Sequence, residues 1–326
     1  MAQDAVHLRF AAHVPRHPFW PLTSILTDTL VGASGVLPPG STVSVLTPKF
    51  GMGDVENLRA VACGEADIGL TTPTNAGWIA MKGLGPFTQP FPEIRAIAVL
   101  PHFDYFVWAV SARFGIASFQ EMAKTKPRMR IALGRVGPNG PDLRVFTARQ
   151  VLNRYGITEE GLKSWGGGLD YVGEPGSAVS KVLTGDADAV FHEAQFLPQW
   201  LELANSVPIS FLSLDEDIAR DMCSTFGFTT RRIPKGRYKG LEKELLTLDY
   251  SDWLLFTTSR LEGEVARLVT EALVVSLRKI DETYSKDPPE HRSLVTPVKA
   301  DGLSRVLGVP MHPGAEGYYR EHGYVS

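Results

Sequence analysis

The sequence predicts an α/β protein of two similar lobes. Each lobe is built on a parallel-core sheet flanked by helices, with a cleft between the two. Three observations predict it. Strand-like and helix-like segments alternate in two separate stretches, as parallel α/β organisation requires. The turn Gly64-Glu65-Ala66-Asp67 recurs as Gly185-Asp186-Ala187-Asp188, 121 residues later, at the same place in that alternation. The length, 326 residues, suits about two domains.

The elements follow in order. Residues 6–12 form an apolar run that reads as a first strand. Pro15, Pro18 and Pro21 interrupt it, and a helical pattern runs over 22–31. Residues 42–46 are β-branched and strand-like. Asp54 is a good N-cap for a helix carrying Val55, Leu58, Val61 and Ala62 at helical spacing. Gly64 ends that helix, since glycine takes the left-handed conformation a helix terminus needs. A strand follows at 68–71 and a helix at 72–78. The second stretch repeats the plan, with strands at 129–133 and 187–191 and helices at 141–155, 177–183 and 192–200. At the 121-residue offset Leu58, Val61 and Ala62 fall on Val179, Val182 and Leu183. Residues 260–285 read as one long amphipathic helix, ended by Asp287-Pro288-Pro289. These readings place lobe 1 at 1–108 plus 225–326 and lobe 2 at 112–211. Residues 103–111 and 212–229 are then the crossovers.

Composition narrows the function. Lys and Arg number 33 against 36 for Asp and Glu, a net charge of -3. That leaves no basic field for a nucleic-acid backbone. Apolar residues make up 44% and charged residues 21%, which is globular rather than disordered. No apolar run approaches the ~18 residues of a membrane span; the most apolar stretch, 103–110, holds Asp104. Two cysteines, Cys63 and Cys223, exclude a disulfide-built scaffold and a Cys-rich zinc site, while one disulfide stays open. The start Met1-Ala2-Gln3-Asp4-Ala5 lacks the basic and apolar segments of a signal peptide. It resembles the residues after a signal-peptidase cut, so it reads as an exported chain without its leader. A cytosolic start is the alternative.

In open α/β sheets, ligands sit beyond the carboxyl ends of the strands, beside helix N-termini whose N–H groups favour anions. In lobe 1 those ends fall at 13–20, 50–54 and 72–75. In lobe 2 they fall at 135–142 and 192–195. The candidate ligand-binding residues are therefore Phe19, Trp20, Gly53, Asp54, Asn57, Thr74 and Asn75, with Arg135, Asn139, Glu193 and Gln195. Phe19 and Trp20 offer an apolar wall, although aromatics often pack a core instead. Gly51 and Gly53 let a ligand approach the backbone. Arg135 follows a strand directly and suits a bidentate carboxylate clamp, or a rim ion pair. Glu193 suits an ammonium or hydroxyl group. Signals of catalysis are weak. No G-x-S-x-G elbow occurs, and 134–140 lacks the spacing of a phosphate or dinucleotide loop. Cys63 reads as a buried structural thiol. His7, His13 and His17 lack metal-ligand spacing. No cofactor and no metal are expected. Tyr318 and Tyr319 read as packing of a C-terminal helix.

Several motifs, in order along the chain, resemble one family. They are Phe19-Trp20-Pro21; Gly53-Asp54-Val55-Glu56-Asn57-Leu58-Arg59 with Gly64-Glu65-Ala66-Asp67; Thr147-Ala148-Arg149 with Val151-Leu152 and Gly156-Ile157; and Thr184-Gly185-Asp186-Ala187-Asp188-Ala189. Further on come Ile233-Pro234-Lys235-Gly236-Arg237-Tyr238-Lys239-Gly240, and His312-Pro313-Gly314-Ala315 with Tyr318-Tyr319-Arg320-Glu321 and Gly323. Together they are similar to the TAXI family of solute receptors, the binding subunits of TRAP transporters. The resemblance implies a two-lobed periplasmic binding protein, type II-like. It implies that the protein closes on a small carboxylate or amino acid and delivers it to TRAP membrane subunits, with no catalysis. Departures lie in the binding loops. The family's small-hydroxyl loop reads Gly134-Arg135-Val136-Gly137-Pro138-Asn139-Gly140, the first loop reads Ala12-His13-Val14-Pro15-Arg16-His17-Pro18, and His102 stands where an acid is common. The family's glutamate is therefore not expected; a bulkier or aromatic carboxylate is. An enzyme on the same fold and a sensor for a signalling partner are the alternatives.

Overall fold

The structure, a computed structural model, describes residues 4–15, 17–47 and 55–324. The chain begins with β1 (His7–Ala11), α1 (Phe19–Val31), β2 (Thr42–Leu46), α2 (Val55–Ala62), β3 (Ile68–Thr71), α3 (Asn75–Lys82) and β4 (Ile94–Leu100). It continues through β5 (Val107–Ser111), α4 (Phe119–Thr125), β6 (Arg130–Leu133), β7 (Val136–Gly137), β8 (Gly140–Pro141), α5 (Leu143–Arg154) and α6 (Glu159–Ser164). Next come β9 (Gly168–Tyr171), α7 (Pro175–Leu183), β10 (Ala189–His192), α8 (Pro198–Ser206), β11 (Ile209–Phe211), α9 (Glu216–Phe226), β12 (Thr230–Ile233) and β13 (Leu245–Leu248). The last elements are β14 (Trp253–Thr258), α10 (Gly263–Val275), α11 (Leu277–Tyr284) and α12 (Pro313–Glu321).

Two compact units result. Unit 1 takes the residues up to Phe103 and those from Ser251 onward; unit 2 is Asp104–Tyr250. Each holds a five-stranded sheet. Unit 1 has the order β2-β1-β3-β14-β4 and unit 2 the order β11-β5-β10-β6-β9. Read from the other edge, the second order matches the first. In each sheet three parallel strands are followed by one antiparallel strand, β14 or β5. That strand is the first the chain forms on starting its second pass through unit 1, or on starting unit 2. Phe10, Ile68, Leu70 and Leu255 fill the core of unit 1 against Leu22, Leu26 and Val269. Ala132, Val190 and Val107 do so in unit 2 against Val179, Trp200 and Leu203.

The repeated turn has one structural meaning in both units. Gly64 and Gly185 take φ of 78° and 80°. Asp67 Oδ2 accepts from Arg9 N at 2.8 Å, and Asp188 Oδ2 from Arg130 N at 2.7 Å. Each aspartate thus satisfies a backbone amide of the neighbouring parallel strand.

Several expectations need correction. Residues 107–111 are strand β5 inside the second sheet rather than a crossover; Val107, Trp108, Ala109 and Val110 are fully buried. Such a run has no alternation because both faces are covered. Residues 225–250 fall in unit 2, where β12 pairs with β13. The helix expected over 260–285 is two helices, α10 and α11, which meet at Ser276. Helix α1 starts at Phe19, so Phe19 and Trp20 are in its first turn. Cys63 is exposed rather than buried, and both cysteines are free.

Candidate functional site

The richest group of buried polar side chains lies at the carboxyl ends of β6 and β10 in unit 2. Asp142 caps α5, its Oδ1 accepting from Val145 N at 2.8 Å. Its Oδ2 accepts from Arg135 N at 2.7 Å and from Arg144 Nε and Nη2 at 3.1 and 2.9 Å. Gly134 makes room for that carboxylate: a Cβ there would stand 2.5 Å from Asp142 Oδ1. Arg144 Nη1 then reaches Glu193 Oε1 at 3.1 Å. The three side chains are only 6–8% exposed. A guanidinium buried this deeply is sustained by its two acidic partners, since removing either leaves an uncompensated charge.

The loop after β10 is held from below. Asp104 accepts from Ala194 N at 2.9 Å and Gln195 N at 3.0 Å. Ala194 has φ of 67°, a conformation costly for a residue with a Cβ. The two bonds from Asp104 fix it, and so fix Glu193 and Gln195 on either side. Arg237 Nη2 donates to Gln195 Oε1 at 2.8 Å.

Burial sets the protonation of this group. It pushes Glu193 well above the usual carboxylate range, with the Asp104 charge adding to the rise and Arg144 opposing it. Burial, with Arg144 second, pushes His192 down to about 3, so it is a neutral imidazole. Its Nδ1 accepts from Glu193 N at 3.0 Å.

The structure brings Glu193 and Gln195 into this network, and ties Arg135 to it through its backbone N–H. The Arg135 side chain is half-buried and passes over Gly173, whose Cβ would stand 3.6 Å from Arg135 Cβ. Asn139 is exposed at the tip of the β7–β8 hairpin, away from the buried group. Sequence reasoning missed Arg144 and Asp104, yet both left a signal. A cation in the first turn of a helix opposes the helix dipole, so Arg144 needs an acidic partner. Asp104 is the one charge in an apolar run.

In unit 1, Phe19 is 1% exposed and packs edge-on against Trp253, with ring centroids 4.7 Å apart. It is a core residue, which corrects the expectation of a wall there; Trp20 beside it is half-buried. Asn57 is fully buried and ties α2 to β3, its Nδ2 donating to Leu70 O at 2.9 Å. It is an internal brace. Thr74 and Asn75 stand half-buried at the start of α3, and Thr74 Oγ1 has no partner among the described residues. Gly51, Gly53 and Asp54 lie outside the described residues. His13 is buried and stacks on His17, with centroids 3.5 Å apart. His7 is at the opposite end of β1 and meets Thr42 Oγ1 at 2.9 Å, so the three histidines do not converge.

Comparison with known proteins agrees with this architecture. The model of the NMT1-like family matches residues 42–323. The chain belongs to the NMT1-like family. Its fold is mixed α/β, in two units that each hold a helix-flanked sheet. Among solved structures, a protein of Bordetella bronchiseptica RB50 is 15% identical, over 98% of each chain, with a TM-score of 0.53. PhnD1 from Prochlorococcus marinus (MIT 9301), in complex with methylphosphonate, is 13% identical over 98% of each chain, with a TM-score of 0.47. A TRAP periplasmic solute binding protein from Sulfitobacter sp. NAS-14.1, with bound β-D-galacturonate, is 11% identical. That likeness covers 98% of this chain and 96% of that one, with a TM-score of 0.45. In this NMT1-like protein, no helix among the described residues is long and apolar enough to cross a membrane.

Proposed function

We propose that this NMT1-like protein is an extracytoplasmic solute receptor. It binds a small organic anion, a carboxylate or amino acid, and delivers it to TRAP-type membrane subunits as TAXI receptors do. It acts by binding alone, and no bond is made or broken. One observation carries this reading: in unit 2, polar groups gather at the carboxyl ends of the parallel strands β6 and β10, in side chains fixed by other side chains. Solutes bind at such strand ends in open α/β sheets. Asp142, Arg144 and Asp104 hold Glu193 and Gln195 in place before any solute arrives, which reduces the ordering cost of binding. In unit 1 the candidate contacts are Trp20, Thr74 and Asn75, together with Phe19, Asn57, Gly53 and Asp54. Arg135 and Asn139 add polar contacts from unit 2. A bulkier or aromatic carboxylate suits these loops better than glutamate.

Thermal unfolding of ligand-stripped protein against small carboxylates and amino acids tests the reading. A solute at ~100 times its Kd adds about 2.7 kcal/mol, a rise of roughly 5–10 °C for a chain of this size. The expected result is a rise with one acid and no chemical change in that acid. If no acid raises the melting temperature, the receptor reading fails.

A further inference from the structure

The loop between β12 and β13 carries an arginine whose setting differs from that of its neighbours in unit 2. The loop is closed tightly on itself: Gly236 N donates to Leu241 O at 3.0 Å and Leu241 N to Tyr238 O at 3.1 Å. Tyr238 anchors it. Its side chain is buried, stacks on Phe211 at 5.0 Å and meets Tyr105 Oη at 2.8 Å. Tyr105 lies just before β5, at the end of the sheet where β10 finishes. This anchor delivers Arg237 to the loop that follows β10. There Arg237 Nη2 meets Gln195 Oε1, and its Cζ stands 5.5 Å from the centre of the Tyr238 ring.

What Arg237 lacks is an acid. Arg144 has Asp142 and Glu193, Arg149 has Glu159, Arg154 has Asp221 and Arg231 has Asp249. Arg237 is half-buried like several of these, but no carboxylate among the described residues pairs with it. Its partners are an amide and the hydroxyls of Tyr105 and Tyr238. A guanidinium offers five N–H donors in a planar fork. Partial burial without a counter-ion is unfavourable, and a planar oxyanion removes that penalty through paired charge-assisted bonds. Arg144 differs, because its charge is already paired with Asp142 and Glu193.

We propose that Arg237 is the counter-charge that receives the anionic group of the solute, oriented for it by Gln195. This rests on the receptor reading above and adds to it a residue on a different loop from Arg135. The anionic group is a carboxylate or a phosphate-type oxyanion, which share this chemistry.

The test compares acids with their uncharged amides by calorimetry on the full chain. Benzoate is paired with benzamide and succinate with succinamide, and inorganic phosphate covers the other oxyanion. The wild type is expected to prefer an acid, or phosphate, over the uncharged probes. Arg237→Gln should lose about ten- to a hundredfold of that anion's affinity, as loss of a charge-assisted pair implies. Affinity for the amides should change less than about twofold, since only the charge term is removed. Arg237→Lys should keep part of the preference, because it restores the charge without the fork. An unchanged melting temperature without solute shows that the variants fold. If Arg237→Gln keeps the full anion preference, the assignment to Arg237 is overturned and the receptor reading stands. If the wild type binds none of the anions, the receptor reading falls and the assignment with it.

Discussion

His192 and Glu193 are adjacent in sequence and both buried, yet they respond to pH in opposite senses. Burial, reinforced by Arg144, lowers His192 to about 3. In the unfolded chain the same imidazole takes up a proton near 6.5. Between these values the unfolded state holds more protons, so His192 contributes stability that is present above ~6.5 and lost as pH falls. Burial raises Glu193, so the folded state keeps a proton the unfolded chain releases. That contribution is present at low pH and is lost as pH rises through the folded value. His192→Asn removes the first effect alone. The difference in unfolding free energy between variant and wild type should shift in the variant's favour by about 1.4 kcal/mol per pH unit. The window runs from about pH 6 to about pH 4, followed by urea unfolding at a series of pH values. A difference that stays constant across the window would show that His192 does not titrate as its burial requires. Glu193 was legible in the sequence because it directly follows a strand. The residues that set its chemistry were not. Arg144 is 49 positions away and Asp104 is 90 from Ala194, the amide it holds. A single sequence marks such partners only as oddities of local context.

At the scale of elements, the C-terminal motif His312-Pro313-Gly314-Ala315 is explained by the packing of two helices. His312 caps α12, its Nδ1 accepting from Gly314 N at 3.2 Å, and its Nε2 faces Leu261 O at 3.0 Å just ahead of α10. One imidazole thus fastens the starts of both helices, with the proton on Nε2. Pro313 suits the first helical position, where its missing N–H costs nothing. Gly314 is needed for the approach itself: a Cβ there would stand 2.0 Å from Gly263 O and 2.8 Å from Gly263 C. Both obstacles are backbone, so the helices must part. Gly314→Ala should cost about 3 kcal/mol, as overpacking of a rigid contact does. That is a fall of roughly 5–10 °C in Tm by calorimetry. A variant within about 1 kcal/mol of wild type would show that α10 and α12 separate cheaply. The acidic turns at Gly64 and Gly185 were as legible as this motif, because each needs residue types that nothing else supplies. Strand β5 was not. Its four fully buried residues form an apolar run with no period, which sequence alone does not separate from a buried connector.

At the scale of the molecule, the topology orders how the two units are completed. Unit 2 is one continuous segment, and its ends are paired: Tyr250 N donates to Asp104 O at 3.1 Å, and Tyr105 bridges to Asp249. Its sheet, its core and its polar network are all present once residue 250 is made. Unit 1 is different. Its fourth strand in spatial order, β14, lies between β3 and β4, and both pair with it. Until β14 exists, β4 has no place in the sheet, and Leu22 and Leu26 lack the face that α10 covers. A chain stopped at residue 103 therefore keeps only β1, β2 and β3, with much of its apolar surface in water. A segment of 147 residues, 104–250, is by contrast within the size at which single cores are stable. Expressed alone, it should unfold in one cooperative transition, with the near-ultraviolet signal of a packed aromatic core around Trp108 and Trp200. Residues 1–103 alone should show neither. Hydrogen exchange on the two fragments separates the outcomes: slow exchange at β5, β6 and β10 in the isolated segment is expected. Fast exchange there would mean that unit 2 draws its stability from unit 1, despite having every strand of its own sheet.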